Sequence, residues 1–156
     1  MTPADPEAVF AALHRAAQDA CGARLFTVTV LDPAAGLARR AYTSHPADYP
    51  TSGTKPIQPN AWTAQVIEGG RSFVANSTAE FAPYFGDHEL INRLGCEAAM
   101  NIPVRDDTGR VVATVNILDA AGHFTPARAA GLEGLVASHR GDLLAAMAAV
   151  PMGPPA

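Results

Sequence analysis

Residues 94–118 read LGCEAAMNIPVRDDTGRVVATVNIL, and the rest of the chain is organised around this stretch. AAMNIPV (98–104) and VVATVNIL (111–118) carry the β-branched, apolar composition of strands, and Arg105 to Arg110 form the turn between them, with Gly109 free to take a positive φ. Polar residues interrupt both strands: Asn101 in the first, Thr114 and Asn116 in the second. Side chains alternate across a strand, so Thr114 and Asn116 share one face while Val111, Ala113, Val115 and Ile117 share the other. Pairing Arg105 with Arg110 across a four-residue loop sets Asn101 opposite Thr114 and Ala99 opposite Asn116. That register gathers the three polar groups on one side of the hairpin. A polar face in the middle of a sheet points to a cavity there rather than a dry core.

Working outward, the length of 156 residues suits a single domain over residues 1–150, followed by a disordered PMGPPA tail at 151–156. The net charge of −4 and scattered cations argue against a nucleic-acid partner. The opening MTPADPEAVF lacks signal-peptide order, and no apolar run is long enough to span a membrane. Two cysteines make neither a disulfide framework nor a metal knuckle, so a cytoplasmic protein with reduced thiols is expected.

On the N-terminal side, Asp5, Pro6 and Glu7 make a helix start. Val9, Phe10, Leu13, Ala16, Ala17 and Ala20 recur at helical spacing, and Gly22 supplies the stop. His14 and Arg15 lie off this stripe and are expected in solvent. RLFTVTVL (24–31) alternates Leu25, Thr27 and Thr29 against Phe26, Val28 and Val30. After the turn at Asp32 to Gly36, LARRAYTS (37–44) returns antiparallel, with Arg39 and Arg40 expected in an exposed strand. Thr27 and Thr29 face either the cavity of the asparagines or solvent.

HPADYPTSGTKPIQPN (45–60) holds four prolines and one glycine and is expected to form no regular element. So long a loop is more often functional than idle. It carries Lys55, the only lysine, which is either a surface charge or an anion contact for a ligand beneath the loop. Asn60 caps a short helix, AWTAQVIEGG, whose Trp62 serves packing or ligand stacking. RSFVAN (71–76) is a further strand. Asp87 caps the short helix HELINRL, and His88 at its first position is either structural or available for acid–base work. Cys96, which opens the hairpin, is a buried gap-filler or a nucleophile. Beyond the hairpin, Thr125 and Pro126 launch one long final helix carrying Leu132, Val136, Leu143 and Met147. Gly131, Gly134 and Gly141 weaken it, so packing must hold it.

The hairpin NIPVRDDTGRVVATVNIL running into GHFTPARAAGLEGLVASH resembles the GAF domain family. The residues that carry the likeness are Ile102-Pro103-Val104, Asp106 to Gly109, Ala113 to Leu118 and Phe124-Thr125, and it extends from about Ala8 to about Ala148. The resemblance implies an α+β fold: an antiparallel sheet of five or six strands, N- and C-terminal helices on one face, and a loop-covered ligand pocket on the other. Three branches fit poorly. The NKFDE motif of cyclic-nucleotide binders is absent, and no cysteine sits where bilin photoreceptors attach their chromophore. Free-methionine-sulfoxide reductases place their cysteines further upstream than Cys96. His45, His88, His123 and Asp87 lack metal-ligand spacing, and no metal or other cofactor is expected.

Two functions compete for the pocket. In the first, a sensor-type domain binds a small polar or anionic metabolite through Lys55, Trp62, Asn101, Thr114 and Asn116. In the alternative, an enzyme acts on such a metabolite with Cys96 as nucleophile or redox residue and His88 or Asp87 as its acid–base partner. A homodimer through the terminal helices is compatible with both.

Overall fold

The structure, a computed structural model, describes residues 5–152. Its centre is the expected hairpin, β5 (Ala98–Arg105) and β6 (Val111–Asp119). The turn is tied by Asp106, whose carboxylate accepts from the Thr108 and Arg110 amides at 2.9 and 3.1 Å and from the Thr108 hydroxyl. These bonds hold the exposed Asp106 carboxyl below its ordinary range. Gly109 takes φ 86°, a conformation that other residues adopt only at a cost.

The register differs from expectation by two residues. Asn101 faces Asn116, Ala99 faces Leu118, and Thr114 lies opposite Pro103. One residue of shift arises at the turn, where Asp106 N–H donates to Arg110 O and Arg105 pairs with Val111. The second arises at a bulge, since Val104 pairs with Ala113 and Val112 is left over. Two single shifts restore the parity of the strand, so the polar residues still share a face. Val112 packs against the helix-side core with Ala113, Val115 and Ile117, the position expected of Val111.

On the N-terminal side, α1 (Pro6–Cys21) starts at the Asp5 cap and ends at Gly22, φ 88°. β1 (Leu25–Asp32) and β2 (Leu37–Thr43) follow as an antiparallel pair with a bulge at Val28/Thr29. The long loop contains one regular piece that its prolines hid, β3 (Lys55–Pro56), which pairs with Leu37 and Ala38. Next come α2 (Ala61–Thr63), a π turn at Ala64–Glu68, and β4 (Phe73–Ala75). α3 (Thr78–Phe81) is an unexpected single turn that buries Phe81, and α4 (His88–Arg93) leads into the hairpin. The sheet is six-stranded and antiparallel, in the order β3-β2-β1-β6-β5-β4.

The final helix is two. α5 (Pro126–Ser138) stops at His139, whose φ of −99° and ψ of 5° break the path before α6 (Arg140–Ala148). The Ser138 hydroxyl and the His139 ring both engage Leu135 O, competing with the backbone ladder. Of the expected disordered tail, Pro151 is held by Arg39, whose Nη1 donates to its carbonyl at 2.6 Å, and Met152 packs on the core. Residues 153–156 lie outside those described.

The sheet's two faces have different chemistry. Phe26, Val28, Met100, Ile102, Ala113, Val115 and Ile117 pack against Phe10 and Leu13 of α1, Leu132 and Val136 of α5, and Leu143 of α6. Each such large side chain contributes about 1.5–3 kcal/mol on burial. His14 belongs to this layer rather than to solvent: its ring stacks on Phe26 at 5.0 Å and meets the Tyr42 hydroxyl at 3.4 Å. The opposite face has a smaller apolar cluster at one end, with Leu25, Phe81, Ile91, Cys96 and Leu118. Beyond that cluster, Thr27, Thr29, Asn101, Thr114 and Asn116 line the same face, with Leu31, Ala38 and Arg40 toward β2. Among the described residues, no helix is long and apolar enough to cross a membrane.

Candidate functional site

The polar face floors a cavity of about 410 Å³, within the size range of small-molecule sites. Its hydrogen bonds run in one direction. The Trp62 indole N–H donates to Asn101 Oδ1 at 2.9 Å, and Asn101 Nδ2 donates to Asn116 Oδ1 at 2.8 Å. Asn116 Nδ2 in turn donates to the Thr27 and Thr29 hydroxyls at 3.1 and 3.2 Å. An indole can only donate, so Trp62 fixes which way both amides point. Each threonine oxygen accepts from Asn116, leaving its own proton to be offered elsewhere. Thr27, Asn101, Thr114 and Asn116 are all at least nine-tenths buried, where an unpaired polar group costs about 1–3 kcal/mol.

Local sequence explains how Trp62 reaches the floor. Asn60 and Thr63 exchange side-chain-to-backbone bonds of 2.9 and 2.8 Å in a capping box, fixing the first helical turn that carries Trp62. Phe85 meets the indole edge-on at 6.4 Å and completes an aromatic wall.

The charged end of the cavity is Arg40, not Lys55. Adjacent residues of β2 point to opposite faces. Arg39 accordingly reaches the C-terminal segment at Pro151, while Arg40 lines the cavity. The Arg40 guanidinium lies 3.8 Å from the Tyr49 ring centroid, and its Nη1 donates to Pro50 O at 3.0 Å. Its Nη2 stands 3.7 Å from Asp87 Oδ2. Burial, followed by the Asp87 carboxylate, pushes the Tyr49 phenol well above its ordinary range against the pull of Arg40. Lys55 is exposed on edge strand β3 and does not line the cavity.

Asp87 occupies the expected N-cap position, but its side chain makes no cap bond and lines the cavity instead. His88 turns away, its Nδ1 bound to Phe85 O at 2.9 Å. Cys96 is fully buried in the apolar cluster, outside the cavity, and burial pushes its thiol up to about 11. A thiol so placed is protonated at neutral pH and shielded, the reverse of an activated nucleophile. His45 and His123 are engaged separately, at Ser44 and at Gly22 O. Among the described residues, no three histidine, cysteine or acidic side chains gather as a metal site.

Of the residues expected at the site, the cavity brings together Trp62, Asn101, Thr114, Asn116 and Asp87, and excludes Lys55, His88 and Cys96. Arg40 and Tyr49 were missed. The parity of β2 put Arg40 on one face and Arg39 on the other, but only the pairing of β2 with β1 says which face is which.

The model of the GAF domain family matches residues 3–139. The chain belongs to the GAF domain family. Solved structures agree on the fold. A GAF domain/HD domain protein from Geobacter sulfurreducens has a TM-score of 0.73 at 11% identity, covering 92% of this chain and 95% of that one. The second GAF domain of DevS from Mycobacterium smegmatis has a TM-score of 0.60 at 21% identity, over 93% and 95%. The free methionine-R-sulfoxide reductase from Neisseria meningitidis, solved with its substrate, has a TM-score of 0.61 at 17% identity, over 91% and 81%. No curated protein matches the sequence. GAF domains generally serve as small-molecule-binding sensor domains.

Proposed function

We propose that this GAF domain binds one small polar metabolite in the cavity and acts as a sensor module. The observation that carries this reading is the one-way chain from Trp62 through Asn101 and Asn116 to the paired threonines. Stability alone would favour apolar residues at the centre of a sheet, as on the opposite face. Here four buried polar side chains are kept, and the hydroxyl protons of Thr27 and Thr29 remain available to a ligand's carbonyl, carboxylate or hydroxyl oxygen.

Chemistry at Cys96 has no comparable support, because the thiol is neither in the cavity nor paired with a base. A second copy docking along the terminal helices is compatible with this reading, and light scattering of the purified protein tests it. Two free thiols fit a reducing cytoplasm.

The ligand reading is tested by titrating metabolites against Trp62 fluorescence, with thermal stability in parallel. A hundredfold excess over the dissociation constant stabilises by about 2.7 kcal/mol. A true ligand perturbs both signals, and Asn116→Leu removes the response. Compounds that stabilise without perturbing Trp62, and that still bind the variant, contradict the site assignment.

A further inference from the structure

We infer that the ligand is a zwitterion, its carboxylate on Arg40 and its ammonium group on Asp87. This rests on the cavity being the ligand site and adds the ligand's charge pattern. Arg40 is held on two sides, by the face of Tyr49 at 3.8 Å and by Pro50 O at 3.0 Å. Its third neighbour, Asp87 Oδ2, is 3.7 Å from Nη2, beyond the 2.7–2.9 Å typical of a charge-assisted hydrogen bond. Asp87 stands at a helix cap and makes no cap bond. Two opposite charges therefore line the cavity side by side as a loose ion pair, with their side chains 26% and 37% exposed. The Asp87 carboxylate also interacts with the Tyr49 phenol; a guest's ammonium and carboxylate can each offer these groups a closer partner.

The cavity's formal charge is zero, since Lys55 lies outside it and Arg40 and Asp87 cancel. An anion drawn to Arg40 meets Asp87 at almost the same distance, and a cation drawn to Asp87 meets Arg40. A guest bearing both charges a few ångströms apart satisfies the two together, each charge set against its opposite. An α-amino acid has that spacing. Its side chain then extends toward the uncharged floor, where the Thr27 and Thr29 hydroxyls can donate to a polar terminus and Trp62 and Phe85 can pack against an apolar stem.

The test uses three matched probe sets read by Trp62 fluorescence: free α-amino acids, their N-acetyl derivatives as anions, and their amides as cations. A fourth set of uncharged sugars and nucleosides stands beside them. Expected is binding by at least one free amino acid, with its N-acetyl and amide forms each weaker by about tenfold or more, because each forfeits hydrogen bonds to a charged group. Asp87→Asn should narrow the gap for the N-acetyl form alone, and Arg40→Gln for the amide alone. Arg40→Lys keeps the charge and should preserve the ranking, and far-UV circular dichroism checks that each variant is folded. Equal binding of a derivative and its parent overturns the inference. So does binding confined to the uncharged set, which leaves the cavity standing as a ligand site. Silence from all four sets overturns both.

Discussion

Replacing Asn116 by Leu is the sharpest test of the polar floor, because the side chain keeps its branching and its number of heavy atoms and loses all its hydrogen bonds. Three good ones disappear: that received from Asn101 at 2.8 Å and those given to Thr27 and Thr29 at 3.1 and 3.2 Å. At about 0.5–1.5 kcal/mol net for each, the direct loss is roughly 1.5–4.5 kcal/mol. The Asn101 amide is also left without its acceptor at 4% exposure, although water in the adjoining cavity partly replaces it. The expected destabilisation is about 2–4 kcal/mol, or roughly 5–15 °C in Tm for a domain of this size. Urea unfolding measures it twice over, by far-UV circular dichroism for the whole fold and by Trp62, the only tryptophan, for the site. Coincident transitions and an unchanged slope would show that stability alone moved. A loss below about 0.5 kcal/mol would refute the reasoning, since the floor would then be no more than wetted surface.

Three further outcomes are expected. Burial, the largest influence, lowers the His14 pKa from its ordinary 6.5, the Ala23 backbone opposes this, and His45 adds to it. The unfolded chain therefore takes up this proton first, so stability is full above pH 6.5 and declines as pH falls from there toward the folded value. His14→Gln should flatten that decline, and an NMR titration placing His14 at or above 6.5 would contradict it. Iodoacetamide at neutral pH, followed by mass spectrometry of the native protein, should label half-buried Cys21 well before Cys96, and rapid Cys96 labelling would reopen the nucleophile. Substituting glycine by alanine should have opposite signs at two sites, measured by urea unfolding. Gly95→Ala, at φ 88° and against Arg24, should cost about 1–2 kcal/mol. Gly131→Ala, in a helix with open space around it, should stabilise by up to about 1 kcal/mol. A gain at Gly95 would contradict the left-handed requirement.

Local rules read the framework well because they depend on neighbouring residues. The Asp5 and Thr125 caps, the Gly22 and Gly95 stops and the two hairpins all follow from side chains within a few positions of the element they shape. The split of the last helix at His139 was hidden, because Ser138 and His139 bend it through Leu135 O while the apolar spacing continues into α6. β3 was hidden because a two-residue strand, one of the two a proline, carries no periodicity, and pairing with β2 alone makes it a strand. Lys55 attracted a role as the only lysine, yet that same pairing holds it at the sheet's edge.

By itself the amino-acid sequence determined the α+β order of elements, the likeness to GAF domains, and a polar stripe on one hairpin face, since strand parity survives even a two-residue error in register. Tertiary structure decided what surrounds that stripe. Trp62 is 39 residues from Asn101, and Asn116 is 89 and 87 from Thr27 and Thr29, so their one-way chain of hydrogen bonds exists only once β1, β6, β5 and α2 are assembled. The same assembly turned Arg40 inward beside Asp87 and buried Cys96. Which face of a strand meets a cavity is set by its partner strands, and that information is spread along the whole chain.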